Sequence, residues 1–175
     1  MPVIHPLLAH DRPRPGEGGG LLLPLPSGAL PALPDAIGHD GRRWLRKREF
    51  HLTCIRRSWM QALPARLLAE AMAWLQARWP YMDRQIGMHD ELWQLRESED
   101  GIERHAIAVA CSAPLMAEIR SGFARIAGSP LPQAPPHITL YSDDGIGGIG
   151  LPDMATLERS CVARLSWAQV STAMR

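Results

Sequence analysis

The stretch F-H-L-T-C-I, residues 50–55, sets a histidine and a threonine two apart among apolar residues. In a strand, residues i and i+2 point the same way. His51 and Thr53 therefore share one face, and Phe50, Leu52 and Cys54 share the other. A strand with one core face and one polar face is predicted, and its polar face carries a group that titrates near neutrality.

The pattern returns once. P-H-I-T-L, residues 136–140, sets His137 and Thr139 against Pro136, Ile138 and Leu140, with the two histidines 86 positions apart. With seven histidines and four threonines in 175 residues, a chance H-x-T is expected about 0.16 times, so two copies with apolar flanks are a signal rather than noise. A lone His51 reads first as a hydrogen-bonded core histidine, and a lone threonine as a good strand former. The matched second copy reverses that weighting.

Placed side by side with their polar faces in one concave sheet, the strands would bring two imidazoles and two hydroxyls around a small volume. An imidazole pair supplies both a base and an acid near pH 7. His51 and His137 are therefore the candidate catalytic residues for in-line cleavage of a phosphodiester, with Thr53 and Thr139 donating to its non-bridging oxygens. This chemistry calls for no metal and no cofactor. Tyr141 falls on the His137 face if alternation continues, where it would stack on a base or bind phosphate, or else stand as a rim residue.

Upstream, W-L-R-K-R-E-F-H-L-T-C-I alternates well enough to predict one long strand over 44–55. Counting by twos puts Lys47 and Glu49 on the histidine face and Arg46 and Arg48 on the other, which leaves a phosphate-binding cation unassigned. Between the two motifs stand a helix opened by Pro64 and stopped by Pro80, a hairpin turning at Gly101, and a second helix from Pro114 to Gly128. After the second motif, D-D-G-I-G-G-I-G-L-P is a loop at the rim; its glycine spacing is not a dinucleotide fingerprint. A short helix capped by Asp153 and a strand over 161–167 follow.

These elements and the paired motifs resemble the 2H phosphoesterase superfamily, which includes LigT-like RNA 2′,3′-cyclic phosphodiesterases. The resemblance spans roughly residues 44–170 and rests on F-H-L-T-C and P-H-I-T-L; the continuation C-I-R after the first motif departs from the apolar–aromatic run usual there. It implies an α+β fold of two pseudo-symmetric antiparallel lobes around a central concave cleft, with helices packed outside. It further implies metal-independent hydrolysis of a cyclic phosphodiester, on a small molecule or an RNA terminus, with His51, Thr53, His137 and Thr139 carried over. A binding module that keeps the cleft without turnover is the alternative.

Composition bounds the rest. Apolar residues make up 46% and charged residues 21%, and nineteen basic against eighteen acidic side chains leave a net charge of +1. Such a balance gives no general field for nucleic acid or an anionic membrane, so phosphate recognition must be local. Residues 1–42 hold half of the sixteen prolines and nearly half of the fifteen glycines. They read as an irregular arm with one short strand near 21–25, suited to packing or partner contact, ahead of a single domain over 43–175. If the arm carried the function, the histidines would be dispensable.

Neither a signal peptide nor an apolar run long enough to span a bilayer is evident, so a cytoplasmic protein with no membrane partner is expected. Cys54, Cys111 and Cys161 lack metal or disulfide spacing and read as reduced core residues. His89 and His105 have no acidic or cysteine partner at ligand spacing, so no metal site is expected. His5, His10 and His39 fall in the arm and read as solvated.

Overall fold

In the computed structural model, which describes residues 3–99 and 101–172, the chain is α+β, with a ten-stranded antiparallel sheet and five α-helices among those residues. The strands are β1 (Val3–Leu8), β2 (Arg14–Pro15), β3 (Leu21–Leu25), β4 (Ala36–His39), β5 (Arg42–Arg46), β6 (Phe50–Ile55), β7 (Gln85–Glu99), β8 (Ile102–Ser112), β9 (His137–Ser142) and β10 (Cys161–Leu165). The helices are α1 (Arg57–Ala62), α2 (Ala65–Arg78), α3 (Pro114–Ala127), α4 (Met154–Ser160) and α5 (Trp167–Thr172). The main path across the sheet runs β1-β7-β8-β9-β6-β3-β2; β10 also pairs with β7, and β5 joins β9 while carrying β4 on its far side.

Most expected elements form. The hairpin turns at Gly101, whose φ of +77° is the left-handed conformation glycine adopts without penalty; Asp100 of the same turn lies outside the described residues. Pro64 precedes α2, Gly128 closes α3 with φ +69°, and Asp153 caps α4 by accepting from the Thr156 amide at 2.7 Å. The last expected strand ends at Leu165, and Trp167 instead opens α5.

Two expectations are corrected. The single strand predicted over 44–55 is broken. Its two parts, β5 and β6, both lie against β9, but Arg46 pairs with Tyr141 and Leu52 with Ile138, so six steps on one side match three on the other. The surplus residues leave the ladder around Arg48 and Glu49. The arm is also more regular than expected, giving four strands where one was predicted: β1 pairs with β7, β3 with β6, and β4 with β5. Pro24 sits within β3 without breaking it because β2 reaches only Leu21 and Leu22 on the outer side, so the missing N–H costs no ladder bond there. Leu7, Leu21, Leu23, Leu25, Leu30 and Leu33 of this segment are all buried in the main core.

The sheet is packed on both faces. One carries the larger core, where Phe50, Leu52, Cys54, Ile138 and Leu140 meet Ile119 and Phe123 of α3, with Ala71 and Leu75 of α2 beyond. The other carries a smaller cluster of Trp93, Leu95, Ala106, Ala108 and Ala110 beneath Ile149, Leu151 and Leu157. His51, Thr53, His137 and Thr139 belong to this second face.

Candidate active site

Leu52 and Ile138 are Cα partners in the antiparallel pairing of β6 with β9. Counting one residue outward in each direction sets His51 opposite Thr139 and Thr53 opposite His137. Directly opposed residues of an antiparallel pair hold their Cβ atoms about 4.5–5.5 Å apart. The four polar side chains thus form a quadrilateral, histidines on one diagonal and threonines on the other. All four line one cavity of about 220 Å³. Each is half-buried, while Leu52 and Ile138 between them are fully buried behind the sheet.

The floor is set by small residues. On β8, Ala108 pairs with Thr139 and Ala110 with His137, and beyond them Trp93 on β7 pairs with Ala108. With only methyl groups in the way, the Trp93 indole lies against His137, the ring centroids 6.1 Å apart. His137 Nδ1 is 2.9 Å from the Pro135 carbonyl; a carbonyl only accepts, so Nδ1 carries the hydrogen and Nε2 is left for a ligand. That bond fixes both tautomer and ring orientation.

The roof is the glycine-rich loop 143–152. Lys47, buried at 7% exposure, donates through Nζ to the carbonyls of Ile146 and of Gly147 (2.9 Å to the latter). Asp144 Oδ1 accepts from the amides of Ile146 (2.8 Å) and Gly147 (2.7 Å) and from the Ser142 hydroxyl (3.0 Å). Farther along, the loop lies on the Arg56 guanidinium at Gly150, where an ideal Cβ would fall 2.9 Å from Nη2.

Electrostatics favour an anion. Burial lowers the pKa of His51 from its ordinary value, and the Lys47 ammonium lowers it further against a smaller opposing pull from Glu49. Burial likewise lowers His137, partly offset by the Pro135 carbonyl, with His51 and Arg120 adding repulsion. Burial thus biases both imidazoles toward the neutral form, and Lys47, Arg56 and Glu49 line the same cavity. A phosphate in that space would meet positive charge and pull protons onto the rings.

No family model, curated protein or solved structure matches this chain.

The structure brings His51, Thr53, His137 and Thr139 together and leaves Tyr141 out. Between Ile107 and Ala108 the β8–β9 register slips: Ala108 pairs with Thr139, Ile107 with Tyr141, and Leu140 is the extra residue. The bulge turns Tyr141 onto the opposite face, where it is fully buried in the main core with its hydroxyl donating to the Pro34 carbonyl at 3.4 Å. The expected stacking or phosphate-binding role for Tyr141 is corrected accordingly. Among the described residues no group of three His, Cys, Asp or Glu side chains is placed to hold a metal, and no helix is long and apolar enough to cross a membrane.

Sequence reasoning missed two arginines. Arg56 is the third residue of the C-I-R continuation and lines the cavity; alternation carried on from Thr53 to residue 55 would have made it a core-side residue, but it lies just past the end of β6. Arg120 is buried on the apolar stripe of α3 and donates to the carbonyls of Cys54 (3.1 Å), Ala134 (2.6 Å) and Thr53 (3.5 Å). It ties the end of the first motif to the entry of the second. The signal was available: a cation at i+4 from Met116 and i−3 from Phe123 falls on the buried stripe.

Proposed function

We propose that the chain is a metal-independent phosphoesterase of the 2H type, hydrolysing a cyclic phosphodiester by two-histidine acid–base catalysis. The observation that carries the reading is the Leu52–Ile138 register, which puts both H-x-T pairs on one cavity. One imidazole takes the proton from water as it attacks phosphorus, and the other gives a proton to the departing ribose oxygen. Each transfer typically contributes about 10² to 10⁴-fold. Thr53 and Thr139 donate to the non-bridging oxygens, while Lys47 and Arg56 offset the charge that collects on them.

In this reading the sheet divides at the Leu52–Ile138 pair into two pseudo-symmetric lobes. β6 leads one, backed by β3 and β2; β9 leads the other, backed by β8 and β7. The cleft lies over the seam. Three free thiols, two of them buried, suit the reducing cytoplasm.

Hydrolysis of 2′,3′-cyclic nucleotides and of short RNAs ending in a cyclic phosphate, with chelator present, is the test. Turnover is expected in the native chain and its loss in His51→Ala and His137→Ala; full activity in either variant overturns the mechanism. The alternative, a module that binds the same end without cleaving it, is favoured by the burial that biases both rings against the protonated form a general acid needs. It predicts phosphate affinity with no turnover at any pH.

A further inference from the structure

A second cavity, of about 210 Å³, adjoins the first, and the two share Arg56 and Ala134 as walls. The loop 143–152 runs along both, giving Gly150 and Leu151 to one and Pro152 to the other.

Their chemistry differs. The second cavity is walled by Ile55, Trp59, Ala62, Leu131 and Pro132. Trp59, on α1, is half-buried; its indole packs against Phe123 with centroids 6.3 Å apart, which holds the ring in place. Arg120 also borders this space, but its Nε, Nη1 and Nη2 already donate to three backbone carbonyls. Ser58, an exposed hydroxyl on α1, is the uncharged polar side chain left there. An apolar hollow with a rigid aromatic wall and few free donors suits a flat ring and offers little to read its edge.

We infer that this second cavity holds the aromatic base of a nucleotide whose phosphate lies between His51 and His137, and that it does so by stacking with little discrimination among bases. The inference rests on the reading of the first cavity as a phosphate site. It narrows the substrate class to nucleotides and nucleotide ends over base-free sugar phosphates. Arg56, at the junction, would meet the phosphate on one side and the base on the other. With the Ser58 hydroxyl and the Arg56 guanidinium the few polar groups open to the edge of a base, purine and pyrimidine differ mainly in stacked area.

The test uses three ligands that a phosphodiesterase does not turn over: adenosine 3′-monophosphate, uridine 3′-monophosphate and base-free methyl riboside 3-phosphate. Binding is measured by calorimetry to the full chain and to Ala62→Phe and Ser58→Phe, which fill the second cavity from exposed helix positions and leave the first untouched. Both nucleotides are expected to bind about ten- to a hundredfold more tightly than the base-free phosphate, the range that stacking on an aromatic side chain supplies. Either filled variant should erase that advantage while keeping the base-free affinity. Equal affinity for all three ligands, or an advantage that survives both substitutions, overturns the base site and leaves the phosphate site standing. A base-dependent affinity lost in the filled variants, in a chain that hydrolyses no cyclic phosphodiester, keeps the base site and removes the catalytic reading. A strong preference for one base overturns the claim of weak discrimination.

Discussion

Lys47 and Asp144 hold the same two loop residues from opposite ends: the ammonium takes the carbonyls of Ile146 and Gly147, and the carboxylate takes their amides. The two charges also attract each other, which opposes the downward pull of burial on the Lys47 pKa. The loop roofing the histidines is thus positioned by side chains rather than by a ladder of its own.

Replacing Lys47 by methionine keeps the apolar stem and deletes the charge. Because Lys47 lowers the His51 pKa, Lys47→Met is expected to raise it, which proton NMR titration of the imidazole would detect; burial remains and keeps the shift partial. An unchanged His51 titration would remove Lys47 from the electrostatics of the site. Phosphate affinity should fall in the same variant, by roughly tenfold to a hundredfold for one charge-assisted contact.

The convergence of the two motifs was legible because it rests on period-two alternation and on a spacing long enough for a helix, a hairpin and a second helix. What alternation cannot register is an inserted residue. Leu140 is such a residue, and the one-residue bulge it makes carries Tyr141 from the cleft to the core. The surplus near Arg48 and Glu49 is larger, yet Lys47 and Glu49 still line the cavity as counting by twos predicted. The strands of residues 3–39 were hidden for another reason. Their prolines read as breakers, but the ladder tolerates a proline where no partner needs its N–H, as at Pro24, and the pairing partners lie far away in sequence.

Stability should fall on acidification. Both site histidines have folded pKa values depressed below the ordinary 6.5, so the unfolded chain binds more protons between those depressed values and 6.5. Their contribution is complete above pH 6.5 and is lost as pH drops through that window, flattening below the folded values. Urea unfolding at pH 7.5, 6.5 and 5.5 checks this, and His51→Gln with His137→Gln should reduce the slope. A double variant as acid-sensitive as the native chain would place the linkage elsewhere.

Catalysis by one protonated and one neutral imidazole requires a bell-shaped profile, and the coupled pair titrates in two macroscopic steps. In the free protein both steps lie below 6.5, so kcat/KM is expected to peak on the acid side of that value. Bound phosphate stabilises the imidazolium forms, so the optimum of kcat should sit at higher pH than that of kcat/KM. Calorimetry of inorganic phosphate binding at pH 6.5, in buffers of different ionisation enthalpy, should register net proton uptake. Release of protons would contradict the assignment of the anion to the histidine pair.

The two long helices meet where Gly122 of α3 faces Trp74 of α2: a Cβ there would lie 2.0 Å from the indole Cη2. Trp74 in turn packs edge-on against Phe123, the centroids 6.4 Å apart at 82°, so moving the half-buried indole aside would disturb that contact. Gly122→Ala gains helix propensity of about 1 kcal/mol, while overpacking of this kind costs typically 1–3 kcal/mol. A net destabilisation of roughly 1–2 kcal/mol is expected by urea unfolding. Combining it with Trp74→Leu should recover much of the loss, since the penalty belongs to the contact and not to either residue alone. Additive costs in the double variant would show that α3 resists the methyl group for some reason other than the indole. Because Arg120 lies two residues before Gly122 and bridges the two motifs from the same helix, a displaced α3 should also weaken phosphate binding in Gly122→Ala and restore it in the double variant.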